Sequence, residues 1–143
     1  MRLAVSMYSY HGAVRDGRLD LPGFIRRAKL DGADGVELLD FFYKDNGLDA
    51  DALVVSRAQA KEALAETGLP VPIFSVGNNL AQPDPRERQA QINRIRFGVD
   101  EARSYGAGVV RVFAGDVREG VTFEDARAWI IDGLSEAADY AHE

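Results

Sequence analysis

The chain has 143 residues, of which 46% are hydrophobic and 28% are charged, a composition typical of a folded globular domain. Its net charge of -6 and its 17 scattered Lys and Arg residues argue against nucleic acid as a partner, because no basic surface is available for phosphates. The chain has no cysteine, so disulfides and thiolate metal sites are excluded. It has no apolar run of about 20 residues, so no membrane span is expected. We predict a cytoplasmic protein.

Four short runs rich in β-branched and aromatic residues predict strands, at residues 3–8, 35–39, 71–76 and 109–114. The segments between them have helical periodicity. Parallel neighbouring strands need a crossover of a dozen or more residues, usually a helix. The alternation therefore predicts an α/β fold built from four βα units.

The first two predicted helices cover residues 22–30 and 49–66. The third begins at Asp84, which is followed by Pro85 and Glu87 in the spacing of a capping box. The fourth begins at Thr122 and continues to residue 141 with an amphipathic pattern. Glycines placed for left-handed helix ends follow the first three helices, at Gly32, Gly68 and Gly106.

An internal repeat favours a closed barrel over an open sheet. Residues 32–37 (GADGVE) align with residues 106–111 (GAGVVR), as expected when whole βα units repeat. The 143 residues give about 36 per unit, so eight units need about 290, the size of a (β/α)8 TIM barrel. We therefore predict that residues 1–143 are a single domain, without a linker, that forms the first half of such a barrel. An open four-stranded sheet remains the alternative.

Three phrases in the predicted order resemble the sugar phosphate isomerase/epimerase family, whose fold is a xylose-isomerase-like TIM barrel. They are residues 3–10 (LAVSMYSY), 32–39 (GADGVELL) and 106–115 (GAGVVRVFAG). For the complete barrel, the resemblance implies a divalent metal (Mn, Mg, Co or Zn) and a carboxylate pair that moves a proton beside a carbonyl. In the sugar epimerase branch these groups come from strands five to eight. The resemblance thus assigns no metal ligand and no catalytic residue to this chain, which is expected to be inactive alone.

Candidate substrate contacts follow the strand ends, where the chemistry of these barrels gathers. Glu37 and Arg111 occupy equivalent points of the repeat and are expected to face each other across the barrel interior. The predicted substrate-binding residues are Tyr8, His11, Glu37, Asn78 and Arg111. Structural alternatives stay open for these residues. In these alternatives His11 binds only backbone groups, Glu37 and Arg111 form an ion pair that holds the barrel together, and Asn78 forms a turn. Asp40 and the aromatic residues 41–43 are a further candidate wall, equally suited to covering helix ends.

Three functions remain open at this stage. The first is an isomerase or epimerase of a small ketose or keto-polyol that works by metal-assisted proton transfer. The second is a half-barrel without catalysis that forms a homodimer through its open sheet edges. The third is an endonuclease that acts on abasic DNA, which the few histidines and the acidic charge disfavour. For the enzyme, an unphosphorylated sugar or polyol is the expected substrate, because no cluster of Lys or Arg follows a strand end and Arg118 gives only thin support for a phosphate group.

Overall fold

The computed structural model describes residues 1–40, 42 and 50–143. Within these residues the strands form one parallel sheet in the order of the chain: β1 (Ala4–Ser6), β2 (Gly35–Leu39), β3 (Ile73–Ser75) and β4 (Val109–Arg111). Sequential order with parallel neighbours is the arrangement of consecutive units in a TIM barrel. The predicted α/β class and barrel-type topology are therefore confirmed.

Within the described residues the helices are α1 (His11–Arg15), α2 (Leu21–Leu30), α3 (Ala50–Thr67), α4 (Pro85–Tyr105) and α5 (Phe123–His142). The last four lie where the sequence predicts helices, whereas the short α1 is not among the predicted elements. The Asp84 carboxylate caps α4 by accepting from Arg86 N at 2.8 Å, and Thr122 Oγ1 caps α5 by accepting from Asp125 N at 3.1 Å. No helix in the described part of the chain is long and apolar enough to cross a bilayer.

The predicted glycine helix ends are confirmed, with φ of 84° at Gly32, 66° at Gly68 and 71° at Gly106. In this left-handed region a Cβ would strain the backbone, and glycine avoids that strain. Each glycine turns the chain from a helix toward the next strand. These turns bring the carboxyl ends of all four strands to the same edge of the sheet.

The first, third and fourth strands are shorter than predicted, since β3 covers only Ile73–Ser75 and β4 ends at Arg111. Strand β1 ends at Ser6, and Met7–Tyr10 form a 3-10 helix that leads directly into α1. Ser6 caps this turn, since its Oγ accepts from Tyr8 N at 3.3 Å. The run of apolar and aromatic residues through Tyr8 is typical of a strand, but the hydrogen bond from Tyr8 N to Ser6 Oγ forms a turn there instead.

The two faces of the sheet have different roles. Val36, Leu38 and Phe74 are fully buried on the face that the helices cover. The opposite face carries Glu37 and Arg111. In a barrel this second face is the interior, so the core under the helices fixes the positions of the polar residues.

Candidate functional site

Three polar side chains from neighbouring strands form a network on the interior face. Ser75 Oγ donates to Glu37 Oε1, and Arg111 Nε donates to Ser75 Oγ at 2.8 Å. Arg111 Nε also lies 3.0 Å from Glu37 Oε1. The predicted meeting of Glu37 and Arg111 is therefore confirmed. The third residue of the network, Ser75, is not among the residues predicted from the sequence. The signal that could have identified it is that it is the one polar residue in the apolar run 71–76.

The strand register explains how Glu37 and Arg111 meet. Glu37 pairs with Ile73, which in turn pairs with Val109, so Arg111 lies two residues further along the sheet than Glu37. An eight-stranded barrel of shear 8 accumulates about one residue of stagger per strand. Two strands apart, a two-residue offset keeps both side chains in one interior layer.

A cavity of about 350 Å³ opens beside this network at the carboxyl ends of the strands. The Arg111 guanidinium carbon lies 5.0 Å from the centre of the Phe113 ring, within range of a cation–π contact. The cavity combines aromatic surface with a charged donor, a combination suited to a polyol. Its lining residues are Tyr8, Leu39, Ser75, Val76, Gly77, Arg111 and Phe113.

Tyr8 lies in the cavity wall, whereas His11 lies behind it. The two rings stack with centroids 4.9 Å apart and an interplanar angle of 20°. His11 Nδ1 donates to the Tyr8 carbonyl oxygen at 2.8 Å, because a carbonyl can only accept. This contact matches the structural alternative for His11, and it places the imidazole as a support for the Tyr8 ring. Direct substrate contact by His11 stays a prediction.

Asn78 joins the loop after β3 to the end of β4. Its Nδ2 donates to the Phe113 carbonyl oxygen at 2.6 Å, and its Oδ1 accepts from Phe113 N at 2.9 Å. The Asn78 carboxamide, three residues beyond the end of β3, thus pairs with both backbone groups of Phe113 as a neighbouring strand would. Asn78 holds the cavity residue Phe113 in place, and its own contact with substrate stays a prediction.

A buried ion pair supports the same loop from the other side. Asp40, fully buried at the end of β2, accepts from Gly77 N at 2.8 Å and from Arg94 Nε on α4. A buried carboxylate with both a cation and a backbone N–H is satisfied, so its effect is to fix Gly77. From the sequence, Asp40 is expected at the edge of an aromatic wall, and residues 41 and 43 of that wall lie outside the described residues.

The metal that the family resemblance implies has no ligand set in the described part of the chain. No group of three or more His, Cys, Asp or Glu side chains lies close enough together there to hold an ion. The nearby carboxylates already have partners within the protein. Glu37 contacts Ser75 and Arg111, and Asp40 contacts Gly77 N and Arg94. What these residues can do chemically is bind and orient a polar ligand.

Comparison with known proteins identifies a family and a fold. A family model described as a xylose isomerase-like TIM barrel matches residues 25–143. No curated protein matches the chain significantly. The chain covers about half the length of the solved structures that resemble it.

Three of these solved structures illustrate the likeness. A protein from Sinorhizobium meliloti 1021 is 18% identical with a TM-score of 0.74, over 98% of this chain and 46% of that one. D-psicose 3-epimerase with D-tagatose, from Clostridium cellulolyticum H10, is 14% identical with a TM-score of 0.72, over 99% and 49%. A xylose isomerase-like TIM barrel protein from Mycobacterium smegmatis, in complex with magnesium, is 16% identical with a TM-score of 0.66, over 99% and 51%. At these identities the likeness establishes the fold.

Proposed function

We propose, since this chain belongs to the xylose isomerase-like TIM barrel family, that the complete barrel interconverts a small ketose or keto-polyol, and that this chain supplies half of the substrate-binding wall. The proposed reaction is proton transfer beside the substrate carbonyl, assisted by a divalent metal. The observation that carries the proposal is the Glu37–Ser75–Arg111 network beside a cavity at the carboxyl edge of the strands. In this fold, that edge is where substrates bind.

The donors and acceptors of the network suit neighbouring hydroxyl groups. Within the described residues Arg111 uses Nε for its hydrogen bond, and its terminal nitrogens have no partner there. Glu37 receives both of its contacts at Oε1, which leaves Oε2 as an acceptor. A sugar hydroxyl both donates and accepts, so a diol can bind Arg111 in the cavity wall and reach the adjacent Glu37, which does not line the cavity itself. The rings of Tyr8 and Phe113 provide surface for the C–H face of the sugar.

The charges at the site support a substrate without a phosphate group. Arg111 is balanced by Glu37 at 3.0 Å, so the network has no excess positive charge. Arg118, in the loop after β4, has a guanidinium nitrogen 3.7 Å from a Glu87 carboxylate oxygen. A phosphate dianion binds best where several cations or backbone N–H groups converge. The proposed substrate is therefore a neutral sugar or polyol.

The metal and the proton-transferring carboxylates belong, in this proposal, to the rest of the barrel. When bound, the metal would polarise the substrate carbonyl as a Lewis acid. Residues of this chain bind and orient the sugar: Arg111 donates, Glu37 accepts, and Asn78 holds Phe113 against the ligand. The cytoplasmic location stays a prediction from the composition.

Ligand titration followed by NMR tests the proposal. We expect D-fructose and D-tagatose to shift the Arg111 Nε–H signal and the Phe113 amide signal, and Arg111→Gln to abolish the Phe113 shift. Arg118→Gln, which removes a guanidinium outside the cavity, should leave both shifts intact. No shift at either signal with any ketose would contradict the proposed wall. Turnover by the purified chain with Mn²⁺ at an enzymatic rate would contradict the assignment of the metal ligands to the rest of the barrel.

A further inference from the structure

Residues 75–77, at the end of β3, form one continuous part of the cavity wall. Their backbone groups are bonded on both sides. Val76 N donates to Arg111 O at 2.9 Å on the β4 side, whereas Ser75 O and Gly77 N both bond to Asp40 on the β2 side. The position of this wall segment therefore depends on Arg111, which lines the cavity, and on Asp40, which does not.

Asp40 bonds the wall segment at two points. Its N–H donates to Ser75 O at 3.0 Å, which continues the pairing of β2 with β3 one residue beyond Leu39. Its Oδ1 then accepts from Gly77 N at 2.8 Å, as the carbonyl of a longer β2 strand would. Asp40 is fully buried, so water does not compete for these bonds. One residue thus extends the sheet to the edge of the cavity.

Arg94 on α4 supplies the cation that this buried carboxylate needs. Its Nε donates to Asp40 Oδ2, while Gly77 N bonds to the other oxygen, Oδ1. A donor on each oxygen holds the carboxylate in one orientation. Arg94 does not line the cavity, so its effect on the wall passes through Asp40 and Gly77.

A second buried ion pair on the same helix has no such connection. Glu101, two turns further along α4, is 1% exposed and bonds to Arg57 on α3. Neither Glu101 nor Arg57 lines the cavity. The two pairs have the same chemistry and comparable burial of the carboxylate, so a comparison of them separates an effect on the cavity from an effect on stability.

We propose that Asp40, oriented by Arg94, is a positioning residue for the ligand of this cavity. It holds residues 75–77 so that Ser75 Oγ keeps its bonds to Glu37 and Arg111, and it thereby keeps Arg111 in the cavity wall. The identity of the ligand rests on the proposed function. The coupling from Asp40 to Arg111 does not, because it is a property of the chain without ligand.

Hydrogen exchange without ligand tests this coupling. Asp40→Ala removes the acceptor for Gly77 N, so exchange of the Gly77 amide and of Arg111 Nε–H should accelerate by at least about 10-fold. Asp40→Asn keeps an acceptor and should restore most of the protection. Glu101→Ala, the matched control, should change both rates by no more than about 2-fold. Equal acceleration in Asp40→Ala and Glu101→Ala would leave the pair with a role in stability alone and overturn the proposal.

Titration with D-fructose, followed at the Phe113 amide, tests the effect on the ligand. Asp40→Ala should raise the Kd by at least about 10-fold, because a wall segment that moves weakens several contacts at once. Glu101→Ala should leave the Kd within about 2-fold of the parent value. An unchanged Kd in Asp40→Ala would overturn the proposal. Absence of D-fructose binding by the parent would contradict the proposed function instead, and the exchange of Arg111 Nε–H would then decide the coupling alone.

A milder variant keeps the test decisive if Asp40→Ala does not fold, which circular dichroism reports. Arg94→Gln removes the cation but offers the Asp40 carboxylate a neutral donor. We expect the same direction with smaller effects, about 3-fold in the Kd and in the exchange of Arg111 Nε–H. If both quantities match the parent in a folded Arg94→Gln chain, Arg94 has no part in positioning the cavity wall and the proposal is wrong.

Discussion

Arg111 on β4 contacts Glu37 on β2 across the intervening strand, with Nε 3.0 Å from Oε1 and Ser75 bonded to both. The sequence left open whether this pair holds the barrel together or orients substrate. Arg111 Nε makes the strand-to-strand contact, and Arg111 also lines the cavity. Under the proposed function, one residue would therefore serve both purposes.

The first prediction concerns the stability of this pair. Arg111→Leu should lower the free energy of unfolding by about 1 to 2 kcal/mol, because Glu37 loses its cation. The expected loss is below that of a fully buried pair because the Arg111 side chain is 44% exposed, against 14% for Glu37. Urea unfolding of Arg111→Leu, Glu37→Gln and the double variant forms a thermodynamic cycle. Strict additivity of the two single losses would contradict a direct interaction.

The second prediction concerns Asn78. Asn78→Ala should lower the free energy of unfolding by about 1 to 3 kcal/mol, because both backbone groups of Phe113 lose their partner. Asn93→Ala, at an exposed asparagine on α4, should change stability by no more than about 0.5 kcal/mol. Hydrogen exchange at the Phe113 amide gives a local readout. Unchanged protection of that amide in Asn78→Ala would count against the strand-like pairing.

The elements and the Glu37–Arg111 contact could be predicted because both depend on local patterns. Apolar periodicity and the capping residues Asp84 and Thr122 locate the helices, and the repeat places Glu37 and Arg111 on the same face. The contact between Arg94 and Asp40 could not be predicted in this way. These residues are 54 positions apart, and periodicity says which face a side chain occupies but not which distant residue it contacts. The early end of β1 at Ser6 was missed because one side-chain bond decided it.

The third prediction concerns the buried pair of Asp40 and Arg94. Arg94→Met should lower the free energy of unfolding by about 3 to 5 kcal/mol, because Asp40 keeps a charge in a fully buried position. Adding Asp40→Asn removes that charge and keeps an acceptor for Gly77 N, so the double variant should recover part of the loss. Urea unfolding measures both. A double variant less stable than Arg94→Met alone would show that charge burial is not the cause.

The fourth prediction concerns the packing of α4 on β3. A Cβ at Gly98 would lie 2.1 Å from Val76 Cγ2, so Gly98→Ala should destabilise the fold by about 1 to 3 kcal/mol. This loss outweighs the gain of about 1 kcal/mol in helix propensity. Gly12→Ala in α1, where a Cβ meets nothing within 4 Å, is the matched control and should not destabilise. Thermal unfolding compares the two, and adding Val76→Ala to Gly98→Ala should restore part of the loss.

The fifth prediction concerns pH and the ion pair that joins α2 to α3. Arg26 Nε lies 2.7 Å from Glu66 Oε2, and this hydrogen bond lowers the pKa of Glu66 below its ordinary value of 4.5. The folded chain therefore holds the Glu66 proton less tightly than the unfolded chain, so the contribution to stability is complete above about pH 4.5 and is lost as pH falls through the lowered pKa. The parent should be more stable than Glu66→Gln at neutral pH, and the difference should shrink on acidification. Urea unfolding of both proteins from about pH 7 to about pH 3.5 measures the difference. Glu119→Gln, which removes an exposed carboxylate before α5, is the control, and an equal pH dependence in the two variants would contradict the assignment to Arg26.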